Sequence, residues 1–262
     1  MDLLNQPPLI TVITVVFNDV EFIEQTILSV VSQSYKNIEY IIVDGGSSDG
    51  TLDVLKKHES KISYYISESD FGIYDAMNKG IKLAKGEWIN FMNSGDQFNN
   101  EEVLSMIYSS TIPKDVKFIY SDFYVDGGLG VGRKHFTADY AKGIILHQSV
   151  IYKKELHEYY GYYLVTKKII VSDYLFFNAV PLNMIFKTAI AISINNDQGV
   201  SQGEWCYYQK KCVDYIFGRI SIFSLVAAFG YYQIKHFSKG LSKIKDSSRQ
   251  GAASKRLIPE RE

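Results

Sequence analysis

Acids and amides recur at four places in the first hundred residues: Asn18 and Asp19, Asp44, Glu68 and Asp70, and Asn93 and Asp96. Each group follows a short apolar run, so each is delivered at the end of what reads as a strand. A carboxylate placed there can accept hydrogen bonds from a base or a ribose. It can also close its own loop as an Asx-turn. Asp44, followed by GGSSDGT, leaves both readings open, and its two glycines let backbone approach a flat ligand closely. Asp96, in NSGD, offers different chemistry. A hard cation such as Mg²⁺ or Mn²⁺ takes one or two carboxylates and leaves positions for phosphate oxygens. Acids facing a diphosphate repel it without such a cation, so a nucleotide diphosphate ligand here implies a metal.

The elements that position these groups are legible from periodicity. LITVITVVF (9–17) is a continuous β-branched run, as expected of a strand buried on both faces. IEYIIVD (38–44), ISYYIS (62–67) and EWINFM (87–92) repeat the pattern. Between them lie three helical segments. The first carries Ile23, Ile27, Val30 and Val31 on one face, with Asn18 or Asp19 as its expected cap. The second is TLDVLKKH, and the third, IYDAMNKGIKLAKG, is expected to stop near Gly86. Strand and helix alternate with short connections, which predicts an α/β fold: a mostly parallel, Rossmann-like sheet with helices on both faces. In such sheets ligands bind outside the carboxyl ends of the strands. Four polar strand ends on one edge therefore predict a cleft. Beyond residue 116 the pattern loosens. VKFIYSDFYV reads as one strand, DGGLGVGRKHF as a hairpin or loop, and SDYLFFNAV (172–180) as a short helix capped by Ser172.

Composition bounds the rest. The 262 residues are 46% hydrophobic and 22% charged, which is ordinary globular usage. Gln233 to Glu262 hold eight Lys and Arg against three acids, a net +5. With 28 basic and 29 acidic residues in all, the preceding body carries 20 and 26, a net −6. An acidic body argues against nucleic acid as its partner. Cys206 and Cys212 fit no common zinc spacing and read as core or interface residues, in a reducing compartment or one indifferent to redox, and the chain is expected to be cytoplasmic. MDLLNQPPLI lacks the basic start and apolar run of a signal peptide.

The run TVVFND, QTILSVVSQSY, IEYIIVDGGSSDGT, ESDFGIYDAMNKGI and GEWINFMNSGD resembles the nucleotide-sugar-binding half of the family 2 glycosyltransferases, with the type A fold. The likeness is dense over residues 9–100 and continues sparsely through HQSVIY (147–152) and VSDY (171–174). It implies a catalytic domain over 1–203, with a donor half (1–100) and an acceptor half (101–203), followed by a helical, partly basic tail over 204–262. It implies that Val15 to Phe17 line a base pocket with Asp44, that Asp70 faces the base or ribose, and that Asn78 and Lys79 lie near the ribose and phosphates. Asp96 matches the last acid of the family's metal-binding motif, although Ser94 and Gly95 stand where many members have another acid. His147 and Gln148 match a His-Gln pair near the diphosphate or acceptor. A satisfied, half-buried histidine is the alternative. Asp173 matches the general base. The implied reaction is an inverting transfer of one sugar from a nucleoside diphosphate sugar, UDP-linked, to a glycan or lipid-linked acceptor. The Gln-x-x-Arg-Trp motif of processive members is absent.

Other readings fit less well. A sugar nucleotidylyltransferase would show a glycine-rich, arginine-containing loop where this chain has FNDVEFIEQ, and a dinucleotide oxidoreductase would show Gly-x-Gly-x-x-Gly. A non-catalytic nucleotide-sugar-binding or scaffolding subunit stays open because of Gly95. The segment 215–245 joins apolar to basic residues and is interrupted by Arg219. It reads either as an interfacial helix at the inner face of the plasma membrane or as a helix packed on the protein's own core or on a homodimer partner.

Overall fold

The computed structural model describes residues 7–127, 132–197 and 204–233. The chain divides into two compact units, Met1–Gly203 and Glu204–Glu262.

The first unit is built on a seven-stranded sheet. Its strands are β1 (Ile10–Val16), β2 (Ile38–Asp44), β3 (Tyr64–Ser67), β4 (Trp88–Phe91), β6 (Phe118–Ser121), β9 (Val150–Lys153) and β10 (Ile185–Thr188), in the order β10-β6-β9-β4-β1-β2-β3. Strands β4, β1, β2 and β3 are mutually parallel, and β10 is parallel to β6. Only β9 runs against its neighbours β4 and β6. Parallel strands share a carboxyl edge, so the polar groups after β1 to β4 emerge on one side, as the sequence predicts.

Alternation along the central strands feeds two cores. Ile10, Val12 and Val16 of β1 and Tyr40 and Ile42 of β2 pack on one face, against helices α1 (Ile23–Val31), α2 (Thr51–Lys57) and α4 (Val103–Ser109). Ile13 and Val15, with Ile41 and Val43, pack on the other. There they meet α3 (Ile73–Leu83), α5 (Leu156–Tyr160) and α6 (Ser172–Ala179). Side chains two residues apart share a face of a strand, and a run that is apolar at every position must therefore be covered twice.

A second, four-stranded sheet has the order β5-β11-β7-β8, with β5 at Gln97–Phe98, β7 at Phe123–Asp126, β8 at Arg133–Phe136 and β11 at Ser193–Asn196. The run VKFIYSDFYV is thus two strands, not one. The chain leaves the large sheet after Ser121 and joins the small one at Phe123, with Asp122 at the switch. The glycine-rich segment joins β7 to β8 as an antiparallel hairpin, although residues 128–131 lie outside the described residues.

Three end signals differ from expectation. Asn18 and Asp19 do not cap α1, whose N-cap is Phe22 with no side-chain bond. Asn18 instead adopts a left-handed conformation (φ 48°), which asparagine tolerates, and its Oδ1 accepts the Ser48 N–H. Helix α3 ends at Leu83 with Ala84, not a glycine, as its C-cap, and Gly86 lies against Thr11, whose hydroxyl accepts its N–H. Ser172 is the first helical residue of α6 rather than its cap, and its hydroxyl accepts the Leu164 N–H.

In the second unit, α7 spans Glu204–Ile216 and a further helical stretch covers 222–233. Cys206 is buried, Cys212 is half-buried, and neither forms a disulfide among the described residues. No helix among the described residues is long and apolar enough to cross a membrane. The basic end of the tail lies outside the described residues.

Candidate active site

The loops after β1 and β2 are latched to each other. The Asn18 N–H donates to Ser47 Oγ at 2.7 Å, and the Asp19 N–H to Thr51 Oγ1 at 3.0 Å. Beneath them Asp44 is fully buried. Its Oδ2 accepts the Gly46 and Ser47 N–H groups at 3.0 and 2.9 Å and the Ser67 hydroxyl at 2.6 Å, and its Oδ1 accepts the Ser47 hydroxyl. These four bonds fill most of the acceptor capacity of a carboxylate. Of the two readings left open for Asp44, the geometry is that of the loop-closing turn.

Just above, Phe17 and Asp70 cover Gly45, which is itself buried. A β-carbon there would sit 2.7 Å from Asp70 Oδ2 and 3.2 Å from the Phe17 ring, so glycine is what lets both side chains close over the backbone. Phe17 is 62% exposed, whereas Val15 is in the core. An exposed ring beside a partly exposed carboxylate suits a flat, hydrogen-bonding ligand.

The stretch ESDFGIYDAMNKG holds itself in shape. Asp70 Oδ1 accepts the Gly72 N–H, and Asp75 Oδ2 accepts the Phe71 N–H. Lys79 Nζ donates to the Ser69 carbonyl and pairs with Glu68 at 2.8 Å and Asp75 at 3.6 Å. Lys79 therefore offsets part of the negative charge of this loop from within. Asn78 is buried, and its amide is satisfied by the backbone of Tyr163: Nδ2 donates to the carbonyl at 2.8 Å, and Oδ1 accepts the N–H at 3.0 Å. The structure thus places the Asn78 amide on the backbone of Tyr163.

At the end of β4 the NSGD turn is gripped by α1. Thr26 Oγ1 donates to the Asp96 carbonyl and accepts the Gly95 N–H, and Gln25 Nε2 donates to the Gly95 carbonyl. Gly95 has φ +92°, and a β-carbon there would approach Asn196 Nδ2 to 3.2 Å. A second acid at this position would be strained, which accounts for the departure from the usual motif.

Asp96 is buried. Its Oδ2 accepts Gln148 Nε2 at 2.5 Å and its Oδ1 accepts the Asn196 N–H at 2.9 Å. Burial pushes its carboxyl up to about 7; the bonds from Asn196 and Gln148 pull the other way, and the charge of Asp19 adds to the rise. Among the described residues, no three or more His, Cys, Asp or Glu are grouped to hold a metal. The residues nonetheless fit a hard cation that arrives with a diphosphate. The donors are oxygens, Asp19 adds negative charge nearby, and the adjacent Asn93 Oδ1 and Ser94 Oγ are buried without a hydrogen-bond partner among the described residues.

Asp173 sits in the first turn of α6, with its side chain one quarter exposed. Its Oδ1 accepts the Tyr74 hydroxyl at 2.7 Å, and its Oδ2 lies 3.0 Å from His147 Nδ1. Burial opposes its charged form, but the hydrogen bond and charge of His147 and the bond from Tyr74 outweigh this and hold the carboxyl below its ordinary value. His147 is buried among Phe91, Tyr163 and Phe177, with Nε2 unpartnered. His147 and Gln148 are consecutive residues of one 3₁₀ turn before β9. One holds Asp173 and the other holds Asp96, so a single turn fixes both acids.

Sequence reasoning missed Tyr74 and Asn196, and it gave Gln148 no specific partner. Tyr74 carried a readable signal: it stands four residues before Asn78, on the same face of α3. Asn196 carried none, because its contact spans 100 residues and uses its backbone N–H.

The Glycosyl transferase family 2 pattern matches residues 11–174. The chain is 36% identical over 102 residues to a putative teichuronic acid biosynthesis glycosyltransferase, TuaG, of Bacillus subtilis, covering 38% of this chain and 40% of that one. It is 34% identical over 119 residues to the Escherichia coli UDP-Glc:alpha-D-GlcNAc-diphosphoundecaprenol beta-1,3-glucosyltransferase WfaP, covering 45% and 47%. The matched stretch thus spans less than half the length of either relative. The structure of S. aureus TarS 1-349 in complex with UDP-GlcNAc superposes with a TM-score of 0.65 at 20% identity, covering 88% of this chain and 73% of that one, a likeness of fold. With the family pattern spanning well over half of the chain, on a sheet whose carboxyl edge carries Asp70, Asp96 and Asp173, this protein belongs to the family 2 glycosyltransferases.

Proposed function

We propose that this glycosyltransferase moves one sugar, with inversion, from a UDP-linked donor to a glycan or lipid-linked acceptor in cell-surface polysaccharide synthesis. The observation that carries this reading is the His147–Gln148 turn, which sets a charged, partly exposed acid (Asp173) and a buried, cation-seeking acid (Asp96) in a fixed relation. The teichuronic acid and diphosphoundecaprenol-linked chemistry in the relatives' names supports the acceptor class, and the E. coli relative's UDP-Glc donor supports the nucleotide.

In this reading the base stacks on Phe17 over Gly45, and Asp70 accepts its hydrogen bonds or those of the ribose. Asp96 would hold Mg²⁺ or Mn²⁺ together with the diphosphate oxygens, and the cation's chemistry is to offset charge on the leaving UDP. Asp173 takes the proton of the acceptor hydroxyl as that oxygen bonds to the anomeric carbon and the bond to the diphosphate breaks on the opposite face. A carboxylate kept charged near neutral pH is always ready for this, and a positioned base contributes about 10²–10⁴-fold. The second unit would rest on the inner face of the plasma membrane: Ile216, Phe223, Val226 and Tyr231 are exposed, and the segment after them is basic.

The test is Asp173→Asn. It keeps the shape of the side chain and should bind UDP as the wild type does, while transfer falls by at least about a hundredfold. Turnover near the wild-type rate would place the base elsewhere.

A further inference from the structure

We propose that Tyr74 is a positioning residue for Asp173, and that Tyr74 and Asn78 together clamp the base-bearing segment to the donor-binding half. The proposal rests on the reading of Asp173 as the base. Tyr74 is buried, and its hydroxyl makes two bonds that complete each other. It donates to Asp173 Oδ1 at 2.7 Å and accepts the Ser172 N–H at 3.0 Å. One hydroxyl therefore fixes both the carboxylate and the first peptide N–H of α6. One turn along α3, Asn78 holds both backbone groups of Tyr163. Residues four apart lie on one helical face, so a single face of α3 grips the segment 163–173 near both of its ends. Ser172 Oγ accepts the Leu164 N–H between those grips, tying the segment to itself.

The helix that makes these contacts begins at the loop that carries Asp70. Gly72, its N-cap (φ +107°), receives Asp70 Oδ1 on its N–H, and Tyr74 follows two residues later. A ligand that orders Asp70 thus orders the start of the element that aims Asp173. The titratable groups facing Asp173 are Tyr74 from α3 and His147 from the turn before β9, with Tyr152 and Tyr163 behind them. Of these, Tyr74 and His147 bond to the carboxylate, one to each oxygen.

Tyr74→Phe removes one donor from the charged carboxylate and keeps the ring. Hydrogen bonds to charged groups are strong enough that turnover should fall about 10–100-fold. The donor KM should hold. The acid limb of the Asp173 carboxyl titration, followed by NMR and so apart from the titration of Asp96, should move to higher pH, because Asp173 loses a bond that favours its charged form. A purely structural tyrosine would lower the melting temperature without moving that limb. Asn78→Asp supplies a second route, placing an acceptor against the Tyr163 carbonyl without touching Asp173; it too should lower turnover at constant donor KM. A raised donor KM in Asn78→Asp, or an unmoved acid limb in Tyr74→Phe, overturns the proposal. Asp173→Asn, assayed alongside, separates the two failures. If it stays active, the base assignment falls and this proposal with it. If it is inactive while the Tyr74→Phe limb stays put, only the role of Tyr74 falls.

Discussion

Asp96 makes the free protein's stability depend on pH in a way that one substitution should remove. Its carboxyl ordinarily titrates at 3.8 and is pushed up to about 7 in the fold, chiefly by burial. Below pH 3.8 it is protonated in both the folded and unfolded chain and contributes no slope. Between 3.8 and about 7 the unfolded chain has lost the proton and the folded protein keeps it. The folded state therefore binds more protons, and stability must fall as pH rises through this window. The rise from 3.8 to about 7 corresponds to a loss of about 4 kcal/mol, complete above pH 7. Such a loss is a large share of the stability of an ordinary domain. Asp96→Asn keeps an acceptor for the Asn196 N–H, and the Gln148 amide can turn to meet the new side chain. The assay is urea denaturation of both proteins, without divalent cation, at intervals from pH 4 to 8. The variant should gain on the wild type steadily across the window and level off above it. A stability difference that stays flat from pH 4.5 to 7.5 would refute the buried, proton-holding Asp96.

Asp44→Asn leaves the loop amides and hydroxyls short of a charged acceptor, so it should cost about 1–3 kcal/mol of stability and weaken UDP binding with it; thermal melts and calorimetry check both, and an unchanged melt would show that the loop does not depend on this acid. Transfer should require Mg²⁺ or Mn²⁺, and full activity in EDTA would remove the cation from the proposed site. Deleting residues 215–262 should abolish flotation with anionic liposomes; flotation equal to the full chain would direct attention to a second copy of the protein as the cover for that apolar surface.

The first hundred residues were legible because each of their features is local. A β-branched run such as 38–44 can only be a doubly covered strand, and its terminal Asp44 must then lie at the sheet edge. What that edge does was less legible. Whether Asp44 faces a ligand or its own loop depends on Ser67, which is 23 residues away. Continuity misled at 116–125, where the apolar run hides a change of sheet that the lone Asp122 marks. Asn78 shows a different difficulty. Its type and position suit a polar ligand, but its partner is a backbone segment 85 residues on, which no local pattern announces. The Asp173–His147 and Asp96–Gln148 contacts span 26 and 52 residues. Their residues could be named by resemblance, but their pairing arises only when β9 is in place.

The placement of β9 also bears on how the molecule is made. Strands β1 to β4 are consecutive in the chain and can associate as they emerge in synthesis, whereas β9 enters between β4 and β6 from more than 50 residues farther on. Long-range insertion of this kind is a slow step, because the intervening chain must be confined before any contact rewards it. His147 and Gln148 immediately precede that strand. Seating β9 and bringing the two acids into register are therefore one event. A nascent chain that has not yet seated that strand has β1 to β4 in sequence but lacks the turn that sets Asp96 and Asp173 in register.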